Sequence, residues 1–517
     1  MSKRRKNKHG MRTASLQSAS NIPVVTNARH GAYTGPQKII TFLTPIAVDK
    51  NTGMPRSSVI HYAYPPIDNR SDTVDGVLTN EAPVKYILEK LEANHSAAGI
   101  KIFCLCTEQA LEIRSWPNLP DKHGNTFDYF CHVIRTQYPE IKAGDIESIP
   151  LSKASMETDM ESALAETLRK IERNDTVHID TSGGFRDVNF LNVLLMQALQ
   201  YRGSKIGLIV YAFFDSDNSH HIIRLLDYVP RITNTISAMS ELSTYGRTRL
   251  FSDVPLDEDS KRLVDSMQNL AEAMELSIYS DDQFPPELIN SVNENLSVCG
   301  NSSSSVSPLM RELLPAFQEK ITMDGSDVTL SSVVRWCSDN LLLQQGVTIF
   351  RENLPAELYR RGIIPIPSFK KDDARSIIDS LSNAMCEKYH ENGYSPNDEF
   401  KQMSHEAVLS WLVSRDRLSG SDDFNMYIDY QELGVLLIEY QFIRRLRNQM
   451  NHSGLSNTSD TTTDDDVRIS GYFSAWGMNT SVVDMKVSDI QRYLSKAAKR
   501  LGKLEQQASR GQLYEGK

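Results

Sequence analysis

Apolar and polar positions divide the chain into two halves with different periods. Lys38-Ile39-Ile40-Thr41-Phe42-Leu43-Thr44-Pro45 is a short apolar run closed by proline and reads as a first strand. A long polar insertion with Gly53, Pro55, Pro65 and Pro66 follows and reads as a loop above a sheet edge. Val84, Ile87, Leu88 and Leu91 recur at helical spacing, so a helix is expected over Val84 to Ala93. Strands are expected at Lys101 to Cys106 and Asp145 to Pro150, and a helix near Met156 to Glu172. Then comes Val177-His178-Ile179-Asp180-Thr181-Ser182-Gly183-Gly184-Phe185-Arg186, a short buried strand that stops on a polar, glycine-rich turn. A helix from Asp187 to about Gln200 carries Val188, Leu191, Leu195 and Leu199, and Lys205 to Phe214 has the length of a buried parallel strand. Strand, turn, helix and strand make a βαβ unit. The alternation over residues 36–230 predicts an α/β domain, Rossmann-like, with a doubly wound, mainly parallel sheet.

From Tyr228 the period becomes helical throughout. Helices are expected at Arg231 to Phe251 and Leu263 to Leu276, with a flexible break at Gly300 to Ser305. Beyond Ser331 the pattern predicts an all-α region: Val333 to Arg351, Asp372 to Glu391, His405 to Val413, Tyr427 to Asn451 and Val487 to Gln507. Gln431 to Asn451 reads as an amphipathic helix, with Leu433, Leu436, Leu437, Tyr440 and Ile443 on one stripe. Gly454 is a natural stop for it, and Gly454 to Asp466 reads as a polar loop. Residues 1–35 are polar and basic without periodicity and read as a flexible tail.

Composition narrows the classes. With 517 residues, 40 % hydrophobic and 24 % charged, the chain is ordinary globular material of two to four domains. A formal net charge of −10 argues against the broad phosphate-binding surface of duplex DNA binders, though not against a small basic site. The six cysteines are scattered without a C-x-x-C pair, which suits reduced thiols better than a disulfide or zinc framework. No apolar run is long enough for a membrane span, and the basic start lacks the apolar core of a signal peptide, so a cytoplasmic protein is the expectation.

Two stretches carry chemistry. At the 181–186 turn, adjacent glycines permit close approach or positive φ, and the following helix aims free N–H groups at the same spot. Thr181 and Ser182 add hydroxyls and Arg186 a planar cation. The turn therefore reads either as a phosphate cradle or as a tight strand-to-helix connection. Thr44, ending the first strand, falls at the same carboxyl edge of the sheet. Near the C-terminus the helix ends Arg444-Arg445-Leu446-Arg447-Asn448-Gln449-Met450-Asn451-His452. R-x4-H also occurs at Arg4/His9, Arg56/His61 and Arg173/His178, but in tail, loop and strand respectively. Only Arg447/His452 closes a long helix in an all-helical region. A histidine handles protons near neutral pH, and an arginine grips phosphate oxygens. The same residues also read as solvated helix-end cations with a polar cap. No metal-binding spacing occurs.

Asp180-Thr181-Ser182-Gly183-Gly184-Phe185-Arg186 resembles the signature of the CRISPR-associated DxTHG-motif family, the CARF–HEPN ribonucleases of type III systems. That signature usually reads Asp-x-Thr-His-Gly-Phe-Arg; here Ser182 and Gly183 stand where Thr-His is expected. Arg447-Asn448-x3-His452 resembles the HEPN ribonuclease motif, and Ile236 to Gly246 loosely resembles the connector of these enzymes. The resemblance implies a CARF-like sensor domain over 36–230, a helical connector over 231–330 and an all-α HEPN domain over 331–517. It implies cyclic oligoadenylate as allosteric activator, held by Thr44, Thr181, Ser182, Gly183, Gly184, Phe185 and Arg186 across the two-fold axis of a homodimer or higher homo-oligomer. It further implies metal-independent cleavage of single-stranded RNA in antiviral defence, with no catalytic cofactor, leaving a 2′,3′-cyclic phosphate. Arg447 and His452 would be catalytic and Asn448 orienting. Two rivals remain: a ring nuclease that degrades its own ligand through Thr181 or Ser182, and a non-catalytic nucleotide-responsive regulator.

Overall fold

The computed structural model describes residues 35–46, 58–64, 73–93, 99–116, 119–151, 156–183, 186–215, 220–276, 286–301, 307–322, 327–366, 371–415, 418, 423–452, 464–478 and 485–515. The expected tail (1–34) and most of the expected 454–466 loop lie outside them. The chain divides into two compact units, residues 1–230 and 231–517.

The first unit is built on one eight-stranded sheet. Its strands are β1 (Gln37–Leu43), β2 (Ile60–Ala63), β3 (Thr73–Gly76), β4 (Lys101–Thr107), β7 (Ile146–Leu151), β8 (Thr176–Asp180), β9 (Lys205–Asp215) and β10 (His220–Leu225). They lie in the order β3-β2-β10-β9-β8-β1-β4-β7. Pairing is parallel except for β9 with β10 and β2 with β3. A two-residue pair, β5 (Arg114–Ser115) with β6 (His123–Gly124), sits apart from it.

Helices cover both faces, which is why the central strands read as continuous apolar runs. Ile39, Leu43, Cys104 and Cys106 pack with α1 (Glu81–Ala93) and α2 (Thr126–Gln137) on one face. Ile40, Phe42, Phe103 and Ile179 pack with α3 (Met156–Arg169) and α4 (Arg186–Tyr201) on the other.

Three features differ from expectation. The insertion expected as a loop contributes β2 and, at the edge of the sheet, β3, whose four residues each are too few to register as alternation. Strand β10 folds back on β9. Helix α2 was not expected, although Thr126, Tyr129, Phe130 and Ile134 recur at helical spacing and Asn125 and Asp128 form a capping box by exchanging side chain-to-backbone hydrogen bonds.

The second unit is all-helical. It holds most of α5 (Tyr228–Tyr245), then α6 (Glu258–Leu276), α7 (Pro286–Asn301), α8 (Pro308–Ile321), α9 (Leu330–Asp339), α10 (Leu343–Arg360), α11 (Lys371–Glu391), α12 (His405–Val413), α13 (Tyr430–His452), α14 (Asp464–Ala475) and α15 (Val487–Glu515). The single helix expected over Val333 to Arg351 is two, because the chain turns at Asn340 and at Leu341, whose φ is +59°. One core runs from Ala238 to Ala508. Helix α13 is not the one-faced helix that its stripe suggested: Leu433 to Ile443 are buried all round, against α10, α11, α12 and α15. Two of its buried polar side chains are met on one oxygen each: Glu439 Oε1 accepts from Arg500 (3.2 Å) and Gln441 Oε1 from Ser382 (3.3 Å).

His178, inside β8, shows what the first core demands. Its ring lies where a Cβ on Gly207 would sit, 2.5 Å from Cε1. The Leu208 N–H donates to Nδ1 (3.0 Å), so the proton sits on Nε2, which faces the Gln37 side-chain oxygen at 2.9 Å. Burial pushes the imidazole pKa down to about 3. The unfolded chain takes up a proton below about pH 6.5 and the folded one does not, so stability is present above that pH and lost as pH falls. Relative to His178→Gln, the wild type should lose about 2 kcal/mol of unfolding free energy between pH 7 and 5. Urea titrations at the two pH values check this; a constant difference refutes it.

Candidate functional site

Strands β1 and β8 are neighbours at the centre of the sheet. From β1 the parallel order proceeds one way, to β4 and β7, and from β8 the other way, to β9. Such a reversal leaves a crevice beyond the carboxyl ends of the two strands, where open α/β sheets bind ligands. The 181–186 turn and Thr44 lie at those ends.

A single buried carboxylate organises that edge. Asp180, last in β8, accepts from Thr41 Oγ1 (2.7 Å) on β1, from Asn80 Nδ2 (2.7 Å) just before α1, and from its own turn through Ser182 N–H (2.8 Å). Burial raises its pKa, and the bonds from Ser182, Thr41 and Asn80 oppose that shift. A buried acid needs its lone pairs met. Sequence reasoning missed Thr41 and Asn80, since no local pattern announces a partner 100 residues away.

The residues expected to hold the ligand are placed as follows. Thr181 spends its N–H and hydroxyl on the Val210 carbonyl (2.9 and 3.0 Å). Ser182 Oγ accepts from Ala212 N–H (2.6 Å) and also bonds Asp180. Both hydroxyls thus stitch the turn to its surroundings. Gly183 is required by space: a Cβ there would stand 1.9 Å from the Phe42 carbonyl oxygen and 2.4 Å from the Asn80 amide. Thr44 is half-buried one residue beyond β1. Gly184 and Phe185 lie outside the described residues, and Arg186 opens α4 with its side chain outside them. Beyond the turn begins α4, a helix of 16 residues whose first N–H groups can meet an anion. Beside Thr181 opens a cavity of about 690 Å³ lined also by Asn192, Tyr211, Phe213, Arg224 and Tyr228. Arg224 stacks 4.0 Å over the Phe213 ring, and the buried Asn192 amide has no hydrogen-bond partner among the described residues.

In the second unit, Arg447 and Asn448 stand on the last turns of α13, and His452 ends it with its side chain outside the described residues. Arg447 points at Glu352 of α10, with Nη2 3.6 Å from Oε1, and its Nη1 lies 3.5 Å from Asn448 Oδ1. Glu352 also takes Arg351 (3.3 Å) and Arg375 of α11. Asp379, one turn beyond Arg375, takes Arg351 (3.6 Å), Arg444 (3.9 Å) and the Tyr440 hydroxyl (2.8 Å). Among the described residues, no group of three or more His, Cys, Asp or Glu is placed to hold a metal, and no helix is long and apolar enough to cross a membrane.

Gly183→Ala should lower stability by about 1–3 kcal/mol, because backbone on the far side cannot yield. Gly144→Ala, with nothing within 4 Å of the new Cβ, should stay within about 0.5 kcal/mol of wild type. Thermal unfolding of the two variants decides; equal midpoints would refute the steric requirement.

No family model matches the chain, and no curated protein matches it. Among solved structures it is similar to Enterococcus italicus Csm6 bound to cyclic hexa-2′-fluoro-hexa-dAMP, at 12 % identity over 90 % of this chain and 100 % of that one, with a TM-score of 0.29. Superposition this loose carries no residue-level argument, so the function rests on this chain's own motifs and geometry.

Proposed function

We propose that the chain is a metal-independent endoribonuclease that cuts single-stranded RNA when its α/β unit binds cyclic oligoadenylate, as a type III CRISPR defence effector. What carries the reading is the setting of two motifs in one chain. The Asp180–Arg186 turn stands at the strand-order reversal of the sheet, and Arg447-Asn448-x3-His452 closes the central helix of an all-helical unit.

The chemistry asked of the second motif is modest. The ribose 2′-OH attacks the adjacent phosphorus, the 5′-oxygen leaves, and a 2′,3′-cyclic phosphate and a 5′-OH remain. His452 handles the proton, and Arg447 stabilises charge on the phosphoryl oxygens. One Arg–His pair makes a poor site, so a complete site draws these groups from two copies facing across a two-fold axis. Ligand gating from mostly off to mostly on takes a differential affinity of about 5 kcal/mol, which contacts repeated in both copies supply. The engagement of the Thr181 and Ser182 hydroxyls within the fold favours this reading over a ring nuclease acting through them.

RNA cleavage should appear on adding a cyclic oligoadenylate of the right ring size, persist in EDTA and leave cyclic phosphate ends. Arg447→Ala and His452→Ala should each lower the rate at least about 100-fold while the oligomeric state is kept. Full activity of either variant removes the site assignment, and activity indifferent to every ring size removes the gating.

A further inference from the structure

The charges around Arg447 do not balance. Four guanidinium groups, Arg351, Arg375, Arg444 and Arg447, converge on two carboxylates, Glu352 and Asp379. Tyr440 fills one further acceptor position on Asp379. This leaves two positive charges in excess, on side chains only 11 %, 31 %, 27 % and 29 % exposed respectively. Partly buried charge of one sign is costly unless an opposite charge arrives, and the low local dielectric strengthens the attraction when it does. The Nε groups of Arg351, Arg444 and Arg447 are buried and have no acceptor among the described residues. Each guanidinium offers five donors in a fixed fork, more than two carboxylates can accept.

Three helices build the cluster. Arg375 and Asp379 are one turn apart on α11, Tyr440, Arg444 and Arg447 follow one another along α13, and Arg351 and Glu352 adjoin on α10. The carboxylates hold the guanidinium groups apart and aimed, as spacers do, without neutralising them.

We propose that Arg351, Arg375 and Arg444 form an anion subsite for a backbone phosphate of single-stranded nucleic acid, next to the phosphate that Arg447 engages. The inference rests on the proposed ribonuclease reading for the identity of the strand, but the subsite requires only a phosphodiester. Arginine suits it because its planar fork meets two phosphate oxygens at once. Contacts away from the reacting bond hold ground state and transition state alike, so their loss appears in KM more than in kcat.

The test uses the full chain and an all-deoxy oligonucleotide of the substrate sequence, which lacks the 2′-OH and cannot be cleaved. Binding is followed by fluorescence anisotropy over a series of salt concentrations. Arg375→Gln and Arg444→Gln should each weaken binding roughly tenfold and make the slope of log K against log salt shallower by about 0.7, the value of one lost phosphate contact. Arg375→Lys should restore most of the slope. With RNA, the Gln variants should raise KM several-fold with kcat changed less. Gln variants that melt like wild type and bind with its affinity and slope overturn the subsite. If Arg375→Gln unfolds, Arg375→Lys and Arg444→Gln carry the same comparison. Should wild type never cleave RNA while the deoxy strand still binds and the variants weaken it, the ribonuclease reading fails and the subsite stands. Should RNA be cut while the variants bind unchanged, the subsite fails and the ribonuclease stands.

Discussion

The carboxylate of Asp180 is the constraint on which the α/β unit's candidate site depends. It is a buried acid with no ion pair to a cation among the described residues, held by a hydroxyl from β1, an amide from the loop before α1, and the backbone of its own turn. Each of these donors comes from a different part of the fold, so the acid is satisfied only when β1, β8 and α1 are all in place. A buried polar group met from several directions specifies one arrangement more sharply than apolar packing does. That arrangement brings the turn against the carboxyl end of β1, closely enough that position 183 has no room for a side chain.

The helical unit solves a related problem with charge. Its central helix α13 is buried on every side from Leu433 to Ile443 and then emerges polar, carrying Arg444, Arg447 and Asn448 on its last turns. Glu352 and Asp379 meet these arginines from α10 and α11. Ion pairs of this kind contribute little net stability when half exposed. Their effect is positional, since a guanidinium pinned at one edge cannot swing.

Much of this was legible in local pattern. The apolar run from Lys38 to Leu43, the βαβ unit from Thr176 to Asp215 and the helices α11, α12, α13 and α15 lie where their periods predict, whereas α14 begins inside the stretch expected as a polar loop. The two motifs fall on a strand-end turn and a helix end, as their residue types require. The short strands β2 and β3 escaped notice because four residues carry too little alternation, and α9 and α10 were fused because Asn340 and Leu341 hide a turn inside an apolar run. The hydroxyls of Thr181 and Ser182 were offered to a ligand on chemistry alone, whereas the fold uses both to bind β9.

Periodicity and residue type thus determined the kinds of element, their order and the two stretches where chemistry collects, because those properties depend on neighbours a few positions apart. Which groups meet was decided only by the tertiary structure. Asn80 reaches Asp180 and Glu352 reaches Arg447 across about a hundred residues of chain, through sheet order and helix packing. A hydrogen bond or ion pair is a fact about distance in space, and distance in space is set by the whole core at once.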